Sequence, residues 1–479
     1  MIFDVHPQYA EFIGDIEVMR DLYAGERAIK SKGEKYLPAT SGMRLDGMLP
    51  SQLGYKDYEA YKERAVLHEY VSEAVSNYIG HLHVKDAQFK LPKKMEYMLT
   101  EATFLGEGLQ TLLRRINSHQ LLAGRLGLMA DLPSEMSFDS LPKLSVYAAE
   151  SIVNWDDNAF SQRLNSLNLV VINESAPRRV SGFRWEVVQR YRILQLGDLD
   201  LNEDLAIYRQ GVFEDRDYNF SEMFVPTYKG QALEAIPFVF INAKDTLSDF
   251  SHPPLQGLGK LTLAIYRGEA DYRQNLHMQS QDTLVTVGGI RNPGGIAGVD
   301  SDAVRIGAGS RLDIELGGDA KFIGVSSTGL SEQRLSLEND KALASIRAGN
   351  FIGGGSSRQE SGEAISVRLA AQMALLRDIA MTGAAGLEKI LKIVATWMGE
   401  NPEEVSVLPN LEFTKIELRG QDVLNLVQAQ QLGAPLSNQS LHAMMADRGM
   451  TVMDFESEMA IVKKAGVKQD DNQNRIEQP

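Results

Sequence analysis

Apolar residues in the first part of the chain recur at helical spacing. From Tyr58 to Ile79 they return every three or four positions, which predicts one long helix with a single buried stripe. A second helical run is predicted from about Met98 to Leu122. The apolar segment from Gly124 to Pro133 has the character of a strand that the proline closes. Residues 8 to about 130 are therefore expected to be mostly helical.

The pattern changes to that of β-strands between Leu144 and Ala243. β-Branched and aromatic runs are separated there by clusters of Gly, Asp, Asn and Pro, which are typical of turns. The main runs are Leu167–Ile172, Val187–Leu194, Leu205–Val212 and Ile236–Ile241. Together they predict a single β-rich unit built as an antiparallel meander.

Two long helices with a glycine-rich segment between them form the most informative pattern in the chain. The first is predicted from Leu255 to about Gln279, because the prolines just before it are tolerated at a helix start. Its interior glycines put its continuity in doubt: Gly257, Gly259 and Gly268. Residues 281–330 hold 11 glycines in 50 positions, which predicts small, turn-dense β structure. The second helix is predicted from Ser331, as N-cap, to about Arg347.

A flexible loop is predicted after the second helix. Residues 349–358 read Gly-Asn-Phe-Ile-Gly-Gly-Gly-Ser-Ser-Arg, which is too flexible for the interior of a helix or strand. A long amphipathic helix is then predicted from Glu363 to Met398, with an interruption near Gly383 and Gly386. The remaining chain is predicted to form a strand pair and a helical tail: Val405–Val407 with Leu411–Leu418, then residues 421–465.

Composition excludes several classes of protein. The chain has 479 residues, 43% hydrophobic and 24% charged, which is ordinary for a soluble protein. It has no cysteine, so neither a disulfide framework nor a thiolate metal site is available. No run approaches the roughly 18 apolar residues of a membrane helix, and no lysine or arginine precedes Gly14. We therefore expect no membrane partner and no secretory signal.

The net charge of −15 argues against tight, static binding of nucleic acid. Such binding concentrates Lys and Arg, because neutralised phosphates and released counterions supply most of the affinity. Charge alone favours simple solubility. An acidic balance is nevertheless compatible with DNA that passes a repulsive wall without sticking to it.

No catalytic, cofactor-binding or metal-binding residue is assigned from the sequence. The eight histidines are scattered, and the one close pair, His81 and His83, does not match a ligand motif. The glycine runs lack the Lys-Ser/Thr of a P-loop and the order of a dinucleotide-binding loop. We therefore expect a protein that is not an enzyme. The alternative from a different class is a cytosolic hydrolase with an unrecognised carboxylate site.

Short phrases stand along the chain from Asp21–Glu26 and Tyr36–Pro38 to Phe455–Glu458, and their order resembles that of tailed-bacteriophage portal proteins. None of them encodes chemistry, so the resemblance rests on their order over about 440 residues. The phrases are Asp21–Glu26, Tyr36–Pro38, Tyr58–Arg64 with a helix ending at Gly80, Gly124–Pro133, Tyr147–Trp155, Pro253–Leu255, Tyr266–Arg267, Ala270–Tyr272, Leu432–Ser437, Gly449–Met450 and Phe455–Glu458.

The resemblance implies a phage portal fold of the α+β class, mostly helical, with a β-rich wing unit and a small β clip. Its regions are a wing at 1–250 (helical 1–135, β-rich 140–245), a first stem helix at 251–280, a clip at 281–328, a second stem helix at 329–348, a tunnel loop at 349–362, a long helix and wing return at 363–420, a crown at 421–465 and a disordered tail at 466–479.

The resemblance also implies a closed homo-oligomeric ring of twelve subunits, which conducts double-stranded DNA during packaging and ejection. The ring would occupy the unique vertex of a virion after assembly in the host cytoplasm. The implied partners are other copies of the chain, the large terminase, a head–tail adaptor, the major capsid protein and the scaffolding protein, and no cofactor is implied. Another ring-forming head–tail connector is the alternative, although connectors are usually shorter.

Two sets of residues are candidate functional positions under this resemblance. The DNA-facing tunnel loop comprises Asn350, Phe351, Ile352, Gly353, Gly354, Gly355, Ser356, Ser357 and Arg358. The clip set comprises Arg291, Arg305, Arg311 and Lys321. One loop arginine per subunit would touch phosphates transiently without holding the DNA.

Overall fold

The computed structural model shows a protein of mixed helix and sheet, which confirms the α+β class. It divides into two compact units, Met1–Pro409 and Asn410–Pro479. The tail predicted at 466–479 lies outside the described residues. Those residues are 4–131, 141–157, 167–196, 207–214, 222–228, 231–233, 235–279, 283–287, 290–291, 313–314, 317–323, 328–349, 362–413, 424, 427–430, 432, 437–447, 451 and 453–462.

The α-helices account for most of the regular structure. They are α1 (Pro7–Ala24), α2 (Glu26–Ser31), α3 (Ser41–Leu45), α4 (Leu53–Arg64), α5 (Tyr70–Leu82), α6 (Met98–Glu101), α7 (Leu109–Ala123), α8 (Gln256–Gln279), α9 (Thr328–Arg347), α10 (Gly362–Met398) and α11 (Asn438–Asp447). None of the helices in these described ranges combines the length and apolar character that a membrane span needs.

The single helix predicted through Tyr58–Ile79 is wrong, because the chain forms two helices there, α4 and α5. The backbone becomes extended at Ala65, with ψ 140°. Ala65 and Leu67 are buried in the link, and the N–H of Leu67 donates to the carboxylate of Glu26. These contacts join segments that are distant in sequence, so the spacing of apolar residues within the run does not predict them. The run predicted from Met98 is likewise divided into α6 and α7.

The strands form small antiparallel sheets. They are β1 (Gln88–Lys90), β2 (Arg125–Asp131), β3 (Lys143–Ala148), β4 (Ile152–Asp156), β5 (Leu169–Asn173), β6 (Ala176–Ser181), β7 (Arg184–Val188), β8 (Arg190–Leu196), β9 (Tyr208–Glu214), β10 (Thr227–Tyr228), β11 (Gln231–Ala232), β12 (Phe238–Asn242), β13 (Thr283–Val287), β14 (Ile290–Arg291), β15 (Asp313–Ile314), β16 (Asp319–Ile323) and β17 (Ser406–Leu408).

The prediction of one meander is wrong for the last of its runs. The sheet β4–β5–β8–β9 is antiparallel as predicted, with the β6–β7 hairpin inserted between β5 and β8. The predicted run Val187–Leu194 is divided between β7 and β8. The run at Ile236–Ile241 instead gives β12, which pairs with β2 in a separate sheet of order β12–β2–β3. Pairing between strands distant in sequence cannot be read from the strand pattern alone.

Strand β2 is buried on both faces because it lies between two cores. Leu126, Leu128 and Ala130 belong to a core that includes buried residues of α7 and α10. Met129 points to the opposite face and joins an aromatic core that includes Trp155 of β4. A central strand of this kind gives a continuous apolar run rather than an alternating one.

Arg125, the first residue of β2, is enclosed by aromatic rings. Its guanidinium carbon lies 4.1 Å from the ring centres of Trp155 and Phe240 and 4.2 Å from that of Phe250. The side chain is fully buried, and its three guanidinium nitrogens have no hydrogen-bond partner within the described residues. Burial lowers the pKa of Arg125 to about 9. Cation–π contacts therefore replace part of the hydration that this charge loses.

Helix α10 runs through 37 residues without a break, so the interruption predicted near Gly383 and Gly386 is wrong. Both glycines mark close contacts. A Cβ at Gly383 would meet the side-chain oxygen of Asn117 on α7, and a Cβ at Gly386 would overlap Ile241 of β12. The missing side chains allow α10 to approach its neighbours closely, and the surrounding core holds the helix intact.

The strand predicted at Val405–Val407 forms as β17, but over the described residues its partner is not the segment Leu411–Leu418. β17 pairs with β1, which lies more than 300 residues earlier in the chain. Residues 411–413 contain no strand, and residues 414–418 lie outside the described ranges. In the second unit, α11 and the helical residues 455–462 agree with the helical tail predicted for 421–465.

Replacing Gly386 by Ala is expected to lower the temperature of thermal unfolding. The added methyl overlaps Ile241, and overpacking of a dense core typically costs about 1–3 kcal/mol. Gly14→Ala is the matched control, because no atom lies within 4 Å of a Cβ placed at this helical glycine. That change should be neutral or stabilise by up to about 1 kcal/mol. Circular dichroism of the full chain measures both, and equal shifts would contradict the packing role of Gly386.

Candidate functional site

Helix α8 is continuous from Gln256 to Gln279, which confirms the first of the two predicted long helices. Two of the glycines that put its continuity in doubt are contact points. A Cβ at Gly259 would lie 2.6 Å from the sulfur of Met19 on α1. A Cβ at Gly268 would lie 2.9 Å from Leu337 on α9. Packing on both sides therefore outweighs the local cost of the glycines.

Hydrogen bonds also attach α8 to the N-terminal helices. Arg267 donates its Nε–H to the carbonyl of Tyr36 at 2.8 Å. Tyr61 donates its hydroxyl to Asp271 at 2.6 Å, and burial together with this bond raises the pKa of Tyr61. The side chains from 271 to 278 are half-buried or exposed. The N-terminal part of the chain therefore holds α8 mainly through the first two-thirds of the helix.

A buried carboxylate, Glu269, joins α8 to α9 and to the link before α5. Its side chain is 3% exposed and is bonded to Lys341 of α9. Arg273 Nε lies 2.8 Å from Glu269 Oε2, and His68 Nε2 lies 3.4 Å from Oε1. Burial by itself raises the pKa of Glu269, but the bonds from Lys341, Arg273 and His68 outweigh it and leave that pKa below its ordinary value. Glu269 is therefore an ionised anchor between three segments.

The two helices lead into an antiparallel β-ribbon. β13 follows α8 and pairs with β16, which precedes α9. Between β13 and β16 in the sequence, β14 pairs with β15, and Arg291 lies opposite Asp313. This arrangement agrees with the short β structure predicted for 281–330. The second helix begins at Thr328, so Ser331 lies in its first turn rather than at its cap.

The predicted clip residues are only partly described. Arg291 lies in β14 and Lys321 in β16, whereas Arg305 and Arg311 lie outside the described residues. Lys321 Nζ is 3.3 Å from Asp319, and both side chains are more than half exposed. An exposed pair of this kind contributes little to stability.

The end of α9 is held where the predicted tunnel loop begins. Tyr78 of α5 donates its hydroxyl to the carbonyl of Arg347 at 2.7 Å, and Asn77 donates its amide to the carbonyl of Ala348 at 2.9 Å. Gly349 follows with φ 83°, a conformation that favours glycine. The last backbone carbonyls of a helix lack partners within it, and here two carbonyls at the end of α9 accept hydrogen bonds from side chains of α5.

The predicted loop residues themselves, Asn350 to Arg358, lie outside the described residues, and the chain resumes at Gly362 as α10. Sequence reasoning missed Tyr78 and Asn77 at the start of the loop. Tyr78 was assigned only to the apolar stripe of its helix. Nothing in its spacing distinguishes a core tyrosine from one that caps a helix 269 residues away.

Two of the histidines, His83 and His119, are half-buried and lie close to polar side chains. His83 Nε2 lies 3.1 Å from the amide of Asn117, and burial lowers the pKa of His83 to about 4. Burial likewise lowers the pKa of His119 to about 3, with Arg20 at 2.9 Å from its Nδ1. Over the part of the chain that the structure describes, no three His, Asp or Glu side chains are grouped as metal ligands.

Comparison with known families matches residues 254–398 to a domain of unknown function (DUF4055). The match begins just before α8 and ends at the last residue of α10. It therefore contains both long helices, the ribbon and the predicted loop. No curated protein matches the sequence.

Comparison with solved structures finds distant similarity to neck structures of the GTA particle. One is the neck of the empty GTA particle, computed with C6 symmetry, at 14% identity and a TM-score of 0.39, covering 79% of this chain and 90% of that chain. Another is the neck of the native GTA particle, computed with C12 symmetry, at 14% identity and a TM-score of 0.36, covering 78% and 89%. Likenesses this distant do not identify a function.

Replacing Glu269 by Gln is expected to destabilise the protein at neutral pH. Loss of a buried charge that accepts three hydrogen bonds typically costs about 1–3 kcal/mol. Because the folded state lowers the pKa of Glu269, its contribution is present above the ordinary value of 4.5 and is lost as the pH falls through the lower folded value.

The difference between wild type and Glu269→Gln should therefore shrink in acid. Chemical unfolding of the full chain from pH 7 down to about pH 3, past the ordinary value of 4.5, measures it. Glu338→Gln is the control, because Glu338 is 59% exposed and lies 3.8 Å from Arg334 on the same helix. That variant should match wild type within about 0.5 kcal/mol. A difference for Glu269→Gln that grows in acid would contradict its role as an ionised anchor.

Proposed function

We propose that the chain is the subunit of a phage portal, a closed ring that conducts double-stranded DNA through one vertex of a virion. The observation that carries the proposal is the excursion α8–ribbon–α9. Two antiparallel helices lead to a β-ribbon and back, and the return is fixed by Tyr78 and Asn77 immediately before the glycine-rich loop. This is the order of stem, clip, stem and tunnel loop that the resemblance implies.

The dimensions of the excursion suit this role. At 1.5 Å per residue, α8 is about 36 Å long and α9 about 30 Å. Such helices are long enough to cross a capsid wall. A two-stranded ribbon is at best marginally stable alone, and pairing with neighbouring subunits around a ring would cover its edges. Closed symmetry would then supply the stability that a single copy lacks.

The proposed role requires no chemistry from the chain. The ring acts by assembly, and its proposed partners are further copies of the chain, the large terminase, a head–tail adaptor, and the capsid and scaffolding proteins. An acidic balance suits a channel that DNA slides through, since attraction at fixed positions would slow it. The loop residues Phe351, Ile352 and Arg358 would contact the DNA briefly. The ring would form in the host cytoplasm, reach twelve subunits and occupy the unique vertex.

Two alternatives remain distinct from this proposal. Another head–tail connector ring would share the assembly but not the long helical excursion. A hydrolase would need an enclosed site with a selected acid and base. One surface groove of about 540 Å³ is lined mainly by residues of α4, with Lys30 of α2. Its lysines are already engaged in part: Lys62 pairs with Glu59 at 2.7 Å, and Lys30 donates to the carbonyl of Glu63 at 3.1 Å.

The purified full chain of 53.0 kDa is expected to form rings. Solution mass and negative-stain top views measure this directly, and a ring of about twelve subunits with a central hole is the predicted result. A ring without DNA passage in a packaging assay would favour the connector alternative. A stable monomer or dimer across micromolar concentrations would reject the portal proposal.

Replacing residues 351–358 by a glycine-serine linker of equal length is expected to impair DNA packaging while leaving ring assembly intact. The loop begins after Gly349, so the linker removes the proposed contacts but keeps the anchored helix end. DNA retained per particle is the measurement. Replacing the exposed Phe104 and Leu105, which are 47% and 80% exposed, by Gly and Ser serves as a control outside the loop. Unchanged packaging with the linker would reject DNA contact by the loop.

A further inference from the structure

The β6–β7 hairpin projects from the end of a sheet. β5 and β8 pair up to Asn173 and Tyr191, and the same two chains continue as β6 and β7, with Ala176 opposite Val188. Among the described residues, neither sheet neighbour continues beside them. β4 begins at Ile152 and pairs with Ile172, and the described part of β9 reaches Glu214 opposite Arg190. Six residues of strand at about 3.3 Å each extend it by about 20 Å.

The β6–β7 hairpin exposes large apolar side chains, which are unusual for a hairpin that faces only solvent. Phe183 at the tip is 97% exposed, and Trp185 and Val187 on β7 are 64% and 68% exposed. Trp185 and Val187 are two residues apart and share one face, together with their cross-strand partners Arg179 and Pro177. An isolated two-stranded ribbon with an aromatic face is marginally stable in water, so it fits a surface that is covered by a partner.

The charge of the hairpin is opposite to that of the chain. Residues 176–188 contain three arginines and one glutamate, whereas the whole chain has a net charge of −15. Arg178 and Arg184 are 67% and 73% exposed, although each has a glutamate neighbour. A basic, aromatic arm on an acidic protein is complementary to another copy of that protein.

The opposite end of the same sheet carries a cluster of carboxylates. β4 runs from Ile152, next to the hairpin, to Asp156 at the far end. At that end Ser248 bonds to Asp157, and Gln8 Nε2 lies 2.8 Å from Asp249. The acidic end is defined here as Asp4, Asp156, Asp157, Asp245 and Asp249. Counted over the described residues, these outnumber the nearby cations Arg125, Lys244 and Lys389.

We propose that the hairpin docks on the acidic end of the sheet in a second copy of the chain. The two surfaces are different and lie at opposite ends of one sheet, so the contact is heterologous. Contacts of this type generate rings when the rotation between copies closes. The inference rests on the proposed ring and names the surface by which neighbouring copies bind.

The variant R184E/W185S tests the contact, with R44E/L45S as the matched control. Both pairs join an exposed arginine to an exposed apolar residue: Arg184 and Trp185 are 73% and 64% exposed, and Arg44 and Leu45 are 57% and 88% exposed. Mass photometry of the full chain over a concentration series measures assembly. The hairpin variant should raise the subunit concentration needed for rings by about tenfold or more, and the control should leave it unchanged. Unfolding temperatures check that both variants fold.

A photo-crosslinking amino acid in place of Trp185 locates the docking surface. Crosslinks from position 185 to residues 4–8, 153–157 or 244–250 of a second copy are expected, and the same probe at Leu105, which is 80% exposed, should not give them. Rings that are as stable in R184E/W185S as in wild type, or crosslinks only to other surfaces or to added DNA, would overturn the inference and leave the ring proposal standing. A wild-type chain that stays monomeric would overturn both.

Discussion

The position of the helical pair depends on one buried charge. Glu269 is almost fully removed from water, and a carboxylate in that setting stays ionised only when hydrogen bonds replace its hydration. Lys341, Arg273 and His68 supply those bonds from three segments of the chain. The anchor therefore fixes α8 against α9 and against the link before α5 at once. The position of α8 and α9 in turn sets where the ribbon begins and where the chain leaves α9 at Gly349.

The body supports that anchor through close approach of main chains. β2 is buried between an aliphatic core and an aromatic core, and glycines at 259, 268, 383 and 386 stand where helices meet their neighbours. Packing is also close around Arg125 in the aromatic core, because three aromatic rings enclose its guanidinium group. Such interiors deform little, so the elements that leave the body start from fixed positions.

Two antiparallel ribbons extend beyond this body. One joins α8 to α9, and the other is the β6–β7 hairpin. Over the described residues each is only two strands wide, which is marginally stable alone, and the hairpin leaves aromatic side chains in water. A subunit with unsatisfied edges at separate places suits a repeating assembly, in which each copy covers its neighbour. The portal proposal and the docking proposal both follow from this property.

Elements that depend on local spacing could be predicted from the amino-acid sequence. The prolines at 253 and 254 predicted the start of α8, and glycine density predicted the ribbon, because helix starts and turns are governed by residues a few positions apart. The loop at Asn350–Arg358 came from composition and family resemblance. Only the tertiary structure decided that α4 ends at Ala65, that β12 pairs with β2, that Gly386 contacts Ile241 without breaking its helix, and that Tyr78 caps α9. These outcomes depend on contacts between residues far apart in the chain, and sequence spacing carries no record of such contacts.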